Sequence, residues 1–157
     1  MANRILSAGV VVVRRVDDDW RVLLLRVYNY WDCPKGEIAA GEDPLAAATR
    51  EVREETTLDD LEFRWGAEFI ETPPYSKNKV ARYYLADTRT AAVKLPVNPA
   101  LGEPEHHEYR WLSFYSATAL AVPRVRAVLA WARGRLRDSR PAERVPPAGA
   151  PPSIRDR

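Results

Sequence analysis

The run Ala8–Val13, closed by four consecutive valines, most constrains what this chain can become. β-branched residues at this density favour a strand. A run of this length is far short of the roughly 20 apolar residues of a membrane helix. It also lacks the form of a signal peptide, because Arg14-Arg15 follows at once and no small-residue cleavage site is present. Residues Ile5–Arg14 therefore read as a buried strand. Asp17-Asp18-Asp19 turns the chain, and Trp20–Tyr28 (WRVLLLRVY) reads as a second strand paired with the first in a hairpin.

Beyond the hairpin, Asn29–Lys35 reads as a loop ending near Pro34, and Pro44–Thr56 as a helix. Asp43 suits its N-cap and Pro44 its first position, and Leu45, Ala48, Thr49, Val52 and Thr56 share one face. Leu61–Glu71 and Lys79–Asp87 are predicted strands separated by a turn at Pro73-Pro74. Thr88–Pro104 reads as a loop holding a short strand near Val93–Leu95, and Glu108–Ser113 as a short strand. Val122–Arg137 is a second predicted helix, with Val125, Val128, Leu129, Ala132 and Leu136 facing inward. From Pro141 the chain is rich in proline and poor in large apolar side chains, so residues 141–157 are expected to form a disordered tail after one domain, 1–140. Strands and helices in this order fit an α/β sandwich with a mixed sheet.

Composition narrows the function classes. Lys plus Arg is 24 and Asp plus Glu is 22, a net of +2, too balanced for a coat on nucleic acid or anionic membrane. Cys33 stands alone, so an intramolecular disulfide and a cysteine-rich zinc site are both excluded, and a reducing, cytoplasmic location is expected.

The chemistry lies between Gly36 and Leu58. At about 100° per residue, Glu51, Glu54 and Glu55 occupy one arc of roughly 100° beside the buried stripe of the Pro44–Thr56 helix. They repel one another and sit in the last turn and a half, where the helix dipole disfavours negative charge; each effect costs a few tenths to about 1 kcal/mol. A divalent cation would reverse both. Hard oxygen ligands without a Cys or His cluster favour magnesium or manganese, ions that keep waters and are completed by phosphates. A solvated acidic face, with Arg50 pairing to Glu54 four residues on, is the other reading of the same residues.

The spacing goes further. The segment resembles the Nudix box, G-x5-E-x7-R-E-U-x-E-E-x-G-U, where U is a bulky aliphatic residue. Gly36, Glu42, Arg50, Glu51, Val52, Glu54, Glu55 and Leu58 match it. Six fixed residues at background frequencies of roughly 5–7% give a chance match on the order of 10^-7 per starting position. Thr57 stands where the pattern has glycine; a β-branched residue there costs about 1 kcal/mol at positive φ, or the helix ends another way. The resemblance implies a Nudix-like α/β/α sandwich whose loop–helix–loop holds divalent metal against a diphosphate linkage. Carried over residue by residue, Glu51, Glu54 and Glu55 are the implied metal ligands, Gly36 contributes its carbonyl, and Glu42 and Arg50 brace the loop against the helix.

Several segments outside the box resemble the asymmetrically cleaving diadenosine tetraphosphate hydrolases: Ser7–Val11, Trp31-Asp32-Cys33-Pro34-Lys35-Gly36, Tyr75–Leu85 and Glu105-His106-His107-Glu108-Tyr109-Arg110-Trp111. Three of the four lysines, Lys35, Lys77 and Lys79, fall in these segments, and a lysine is a point charge suited to phosphate. They are candidate substrate contacts, with Tyr75 as a stacking platform and Tyr30, which precedes the box, as a further contact; each also has a bland reading as a surface or packing residue. Tyr83 and Tyr84 must point to opposite faces of their strand and are at least as well read as core. The resemblance makes Glu105 an additional metal ligand or a base near the attacking water. His106 and His107 read as hydrogen-bonding loop residues and Cys33 as packing.

The expected activity is a metal-dependent pyrophosphohydrolase, with Mg2+ as cofactor and Mn2+ as a substitute. Its expected substrate is a dinucleoside polyphosphate, diadenosine tetraphosphate going to ATP and AMP. Glu54, Glu55, Glu105 and Lys35 are the expected catalytic residues. RNA 5′ ends or another nucleoside diphosphate linked to a further group are the alternative substrates, and a non-catalytic nucleotide-binding domain the alternative of another class. The expected partner is a small nucleotide rather than a membrane, and the expected state a monomer or weak dimer.

Overall fold

A computed structural model of the chain describes residues 4–138, and the tail expected from Pro141 lies outside them. The elements are β1 (Ile5–Val16), β2 (Asp19–Val27), β3 (Tyr30–Asp32), β4 (Lys35–Glu37), α1 (Pro44–Thr56), β5 (Phe69–Glu71), β6 (Lys79–Asp87), β7 (Val97–Asn98), β8 (Glu103–Pro104), β9 (Glu108–Leu112), α2 (Phe114–Leu120) and α3 (Pro123–Asp138). The valine run is the hub. Strand β1 lies parallel to β6 along its length, from Ile5↔Lys79 to Val13↔Asp87, and antiparallel to β2 from Val13↔Val22 to Val16↔Asp19. On that second edge the sheet forks. The first residues of β1 pair instead with β4, with Ser7↔Glu37, Ala8↔Gly36 and Gly9↔Lys35, while β3 pairs with β2. The result is a mixed sheet between helical layers, the α/β sandwich that the order of elements predicts.

Alternation along the strands sorts the core. Val11, Val13, Val22, Leu24, Tyr83 and Leu85 face α2 and α3, where they meet Ala117, Val125, Val128, Leu129, Ala132 and Leu136. Val10, Val12, Leu23, Leu25, Tyr84 and Ala86 face Ala47, Ala48 and Val52 of α1. Each of these valines and leucines contributes about 1.5–3 kcal/mol on burial. The inward residues expected for α3 are all buried. Among the described residues, no helix is long and apolar enough to cross a membrane.

Three local expectations need correction, and one element was not expected. Residues Asn29–Lys35 are not only loop: Tyr30–Asp32 and the segment from Lys35 form short strands on either side of Pro34. They have no alternating pattern because they fill the fork between longer strands. Residues 61–71 are not one strand; only Phe69–Glu71 is, with Glu62 making an isolated bridge to Asp87 and Gly66 turning the chain at φ +86°. Its hydrophobic residues are split, Leu61 and Phe63 packing on the α1 side and Trp65 on the other. Val93–Leu95 is not a strand; the chain pairs later, with Val97↔Pro104 and Asn98↔Glu103. Finally, helix α2 follows Ser113, whose side chain accepts the Ser116 N–H as an N-cap, in a segment that no expectation covered.

Helix α1 begins and ends as its caps dictate. The Asp43 carboxylate accepts the Ala46 N–H at 3.1 Å. At the other end Thr57 adopts φ 66°, ψ 3°, and its N–H reaches the Arg53 carbonyl. The left-handed cap is kept although the residue is β-branched, at a local cost of about 1–2 kcal/mol.

Candidate active site

Strand register places β4 against the C-terminal half of α1. The Ala8↔Gly36 pairing turns the α-carbon of Gly36 toward the helix, and a Cβ added there would lie 2.1 Å from the Glu51 carboxyl carbon. Glycine is therefore required for Glu51 to sit where it does. One residue earlier the pleat points the other way, and Lys35 extends from the α3 side, its Nζ 3.9 Å from Asp32 Oδ2.

The box carboxylates face a cavity of about 410 Å3, lined by Glu51, Glu54, Glu55, Glu105, His106 and the segment Leu95–Pro99. Glu55 is its deepest acid, 7% exposed. Its Oε1 accepts the Lys35 N–H at 3.3 Å, and its Oε2 is buried without a hydrogen-bond partner. Burial pushes the Glu55 carboxyl well above the usual carboxylate range, and the charges of Glu105 and Glu51 push the same way. Glu51 is raised as well, chiefly by burial and against the pull of Arg50. His106 Nε2 lies 3.7 Å from Glu55 Oε2. Burial, then the charge of Lys35, lowers the His106 imidazole to about 4, so it is neutral at physiological pH and can offer a lone pair.

Arg50 ties the frame together. Its Nε and Nη2 donate to the two Glu42 oxygens at 2.8 and 3.0 Å, and its Nη2 also reaches the Glu37 carbonyl at 3.3 Å. Its Nη1 donates to Glu51 at 2.9 Å and to Glu54 at 3.1 Å. Glu42 also accepts the Ala39 N–H, and the Arg50 bond holds its carboxyl down at about 2. The three box glutamates are thus less bare than helical geometry alone suggests, since Arg50 screens two of them. Glu55 receives no such help.

These residues fit a hard dication on three observations. The buried Glu55 oxygen is orphaned, Gly36 leaves a cradle that any side chain would fill, and one ligand atom each from Glu55, Glu105 and His106 lie within 4.8 Å of one another. Carboxylates with a single imidazole suit Mg2+ or Mn2+ better than softer ions.

The other candidates do not line this cavity. Tyr75 packs on the α3-side core, with the Arg124 guanidinium 4.2 Å from its ring centre. Lys79 is half-buried on the same sheet face as Ala81 and Tyr83. Lys77 is exposed in a turn at φ 52°, and Tyr30 is 65% exposed. Tyr83 and Tyr84 are core residues on opposite faces, Tyr83 donating its hydroxyl to Asp32 at 2.8 Å. Cys33 is buried, and desolvation with the Asp32 charge holds its thiol well above its ordinary value. Sequence reasoning set His106 aside and passed over Asp32 and Arg124. Adjacency to Glu105 was the one available signal for His106. Asp32 and Arg124 meet at 3.0 Å from positions 92 residues apart, for which no local pattern exists.

A model of the NUDIX domain matches residues 4–132 of this chain. The asymmetrical bis(5'-nucleosyl)-tetraphosphatase of Sus scrofa is 30% identical over 130 residues, covering 73% of this chain and 83% of that protein. The Mus musculus protein of the same name is 32% identical over 96 residues, 59% of this chain, and the match spans 62% of its length. A crystal structure of a C. elegans Ap4A hydrolase binary complex superposes with a TM-score of 0.73 at 25% identity, covering 86% of this chain and 99% of that one. With the box, the forked sheet and the acidic cavity in place, the chain belongs to the NUDIX family and is a Nudix hydrolase.

Proposed function

We propose that this chain is a magnesium-dependent pyrophosphohydrolase that cleaves a dinucleoside polyphosphate, diadenosine tetraphosphate yielding ATP and AMP. The observation that carries the reading is the buried, partnerless Glu55 oxygen facing Glu105 and His106 at the floor of the cavity. The likeness to asymmetrical tetraphosphatases supports the substrate. Glu51, Glu54, Glu55 and Glu105, with the Gly36 carbonyl, would hold the ion, and Mn2+ would serve in its place. When bound, the ion supplies Lewis acidity and charge neutralisation for the phosphate oxygens and the attacking water.

The chain's own residues do the rest. Arg50, fixed by Glu42, holds Glu51 and Glu54 in one orientation. Glu105 or Glu55 accepts the proton of the attacking water as a new P–O bond forms and the bridging P–O bond breaks. The Lys35 N–H orients Glu55, while its ammonium lies 3.9 Å from Asp32, which Arg124 also reaches, and Arg124 in turn lies over the Tyr75 ring. Lys35, Lys77, Lys79, Tyr75 and Tyr30 are proposed to receive one nucleotide end of the substrate.

The test is a product-resolved assay of diadenosine tetraphosphate, triphosphorylated RNA and nucleotide sugars, with and without Mg2+. ATP and AMP formed only with the metal support the reading. Glu54→Gln should fold normally, because Glu54 is exposed, and should lose turnover by orders of magnitude. Equal turnover in that variant refutes the assignment, and a wild-type protein that binds nucleotide without turnover refutes catalysis.

A further inference from the structure

Asp32 lies outside the box, yet its two oxygens are bonded in different ways. Its Oδ1 accepts the Cys33 N–H at 2.6 Å and the Tyr83 hydroxyl at 2.8 Å, which ties the carboxylate to its own loop and to β6. Its Oδ2 faces two cations, the Arg124 guanidinium at 3.0 Å and the Lys35 ammonium at 3.9 Å.

Lys35 has a second carboxylate within its field. Strand β4 pairs with β1 alone, and its Lys35 N–H goes to Glu55 Oε1 at 3.3 Å. Glu55 therefore caps the edge of the strand from which the lysine side chain springs, rather than lying behind the sheet. The ammonium charge is felt there. After burial it is the next influence lowering the His106 imidazole. At Glu55 it opposes burial and the charges of Glu105 and Glu51, which raise that carboxyl. Glu55 Oε2 is buried with no donor, and a lysine stem is long and freely rotating. An ammonium turned to that oxygen would neutralise Glu55 and compete with a dication for it.

Asp32 is what the ammonium meets instead. The Lys35 and Asp32 side chains are 22% and 17% exposed, so their attraction acts largely out of water and is weakly screened. We infer that Asp32 is a positioning residue that holds the Lys35 ammonium off Glu55 and so keeps the site open to a dication. The inference rests on the metal-dependent reading above, and Asp32 acts only through Lys35.

Mn2+ binding to the full chain, read from loss of the free-ion EPR signal, tests this without turnover. Asp32→Asn keeps the oxygen that Cys33 and Tyr83 bond and changes the one facing the cations. It should weaken Mn2+ binding about ten- to a hundredfold. Lys35→Met should bind at least as tightly as wild type, because the competitor is gone, and the double variant should match Lys35→Met. Arg124→Gln disturbs the same cluster but leaves the Asp32 charge to Lys35, and should keep wild-type affinity. A double variant as weak as Asp32→Asn overturns the inference and makes Asp32 a support of the loop alone. Wild-type affinity in Asp32→Asn, or equal weakening in Asp32→Asn and Arg124→Gln, overturns it as well. Melts in chelator show which variants fold, and a weakened Lys35→Met overturns the inference even if Asp32→Asn does not fold. A wild type that binds no Mn2+ refutes the metal-dependent reading itself.

Discussion

Replacing Glu55 with glutamine should make the metal-free protein more stable. Glu55 is 7% exposed, its Oε2 has no hydrogen-bond partner, and Glu105 and Glu51 stand nearby with like charge. Glutamine keeps the shape and the acceptor for the Lys35 N–H but removes the buried charge. Burial raises the Glu55 carboxyl above its ordinary 4.5, so the folded state holds that proton more tightly than the unfolded chain does. The penalty of ionising it is absent below about pH 4.5 and grows as pH rises. At pH 7.5, about three units higher, the penalty is capped near 4 kcal/mol at 1.36 kcal/mol per unit. After the new amide loses some hydrogen bonding, a gain of about 1–3 kcal/mol is expected. For a chain of this size each kcal/mol moves Tm by about 2–4 °C. Thermal melts of wild type and Glu55→Gln at pH 4.5 and 7.5, in chelator and in Mg2+, provide the assay. The variant should gain nothing at the lower pH and melt several degrees higher at the upper. Magnesium at a hundred times its Kd should raise wild type by about 2.7 kcal/mol and leave the variant unmoved. A variant less stable than wild type in chelator at pH 7.5, or one stabilised equally by Mg2+, would refute the account of Glu55 as a charge buried for a cation.

Gly36→Ala should abolish Mg2+-dependent turnover with only a modest loss of stability, because the added Cβ collides with the carboxyl end of the Glu51 side chain rather than with backbone; activity and a melt on one preparation separate the two effects. Thr57→Gly should raise stability by up to about 1 kcal/mol in denaturant titration, since Thr57 holds φ 66° and only the bond its hydroxyl donates to the Thr56 carbonyl at 2.6 Å offsets that cost. Asp87, buried beside Arg64, has its carboxyl raised to about 6 by desolvation. A raised carboxyl contributes stability that is whole below about pH 4 and lost as pH climbs through 6. Asp87→Asn should therefore gain on wild type across that window, by about 1–2 kcal/mol after solvent screening, and a difference that stays flat with pH would exclude Asp87 as its source.

What could be read from the residues was local. The caps of α1, its buried stripe, the hairpin of β1 and β2 and the spacing of Glu51, Glu54 and Glu55 all depend on neighbours within a few residues, whose periods of 3.6 and 2 are written along the chain. The same locality explains the failures. Strands β3 and β4 are too short to show alternation, and the apolar residues of 61–71 divide between two cores, which imitates a strand. The candidate site was half legible for the same reason. The carboxylates on one helix could be grouped in advance, whereas the lysine and tyrosine candidates are absent from the cavity lining.

The sequence by itself determined that a capped helix would present three acids on one arc, and that a valine-rich strand would lie buried at the centre. Only the tertiary structure decided that Glu105 and His106 would close on Glu55, that Leu95–Pro99 would wall the cavity, and that the Lys35 ammonium would reach Asp32. The reason is register. Gly9 pairs with Lys35 and Ala8 with Gly36, and in a pleated sheet a single residue of offset places neighbours on opposite faces.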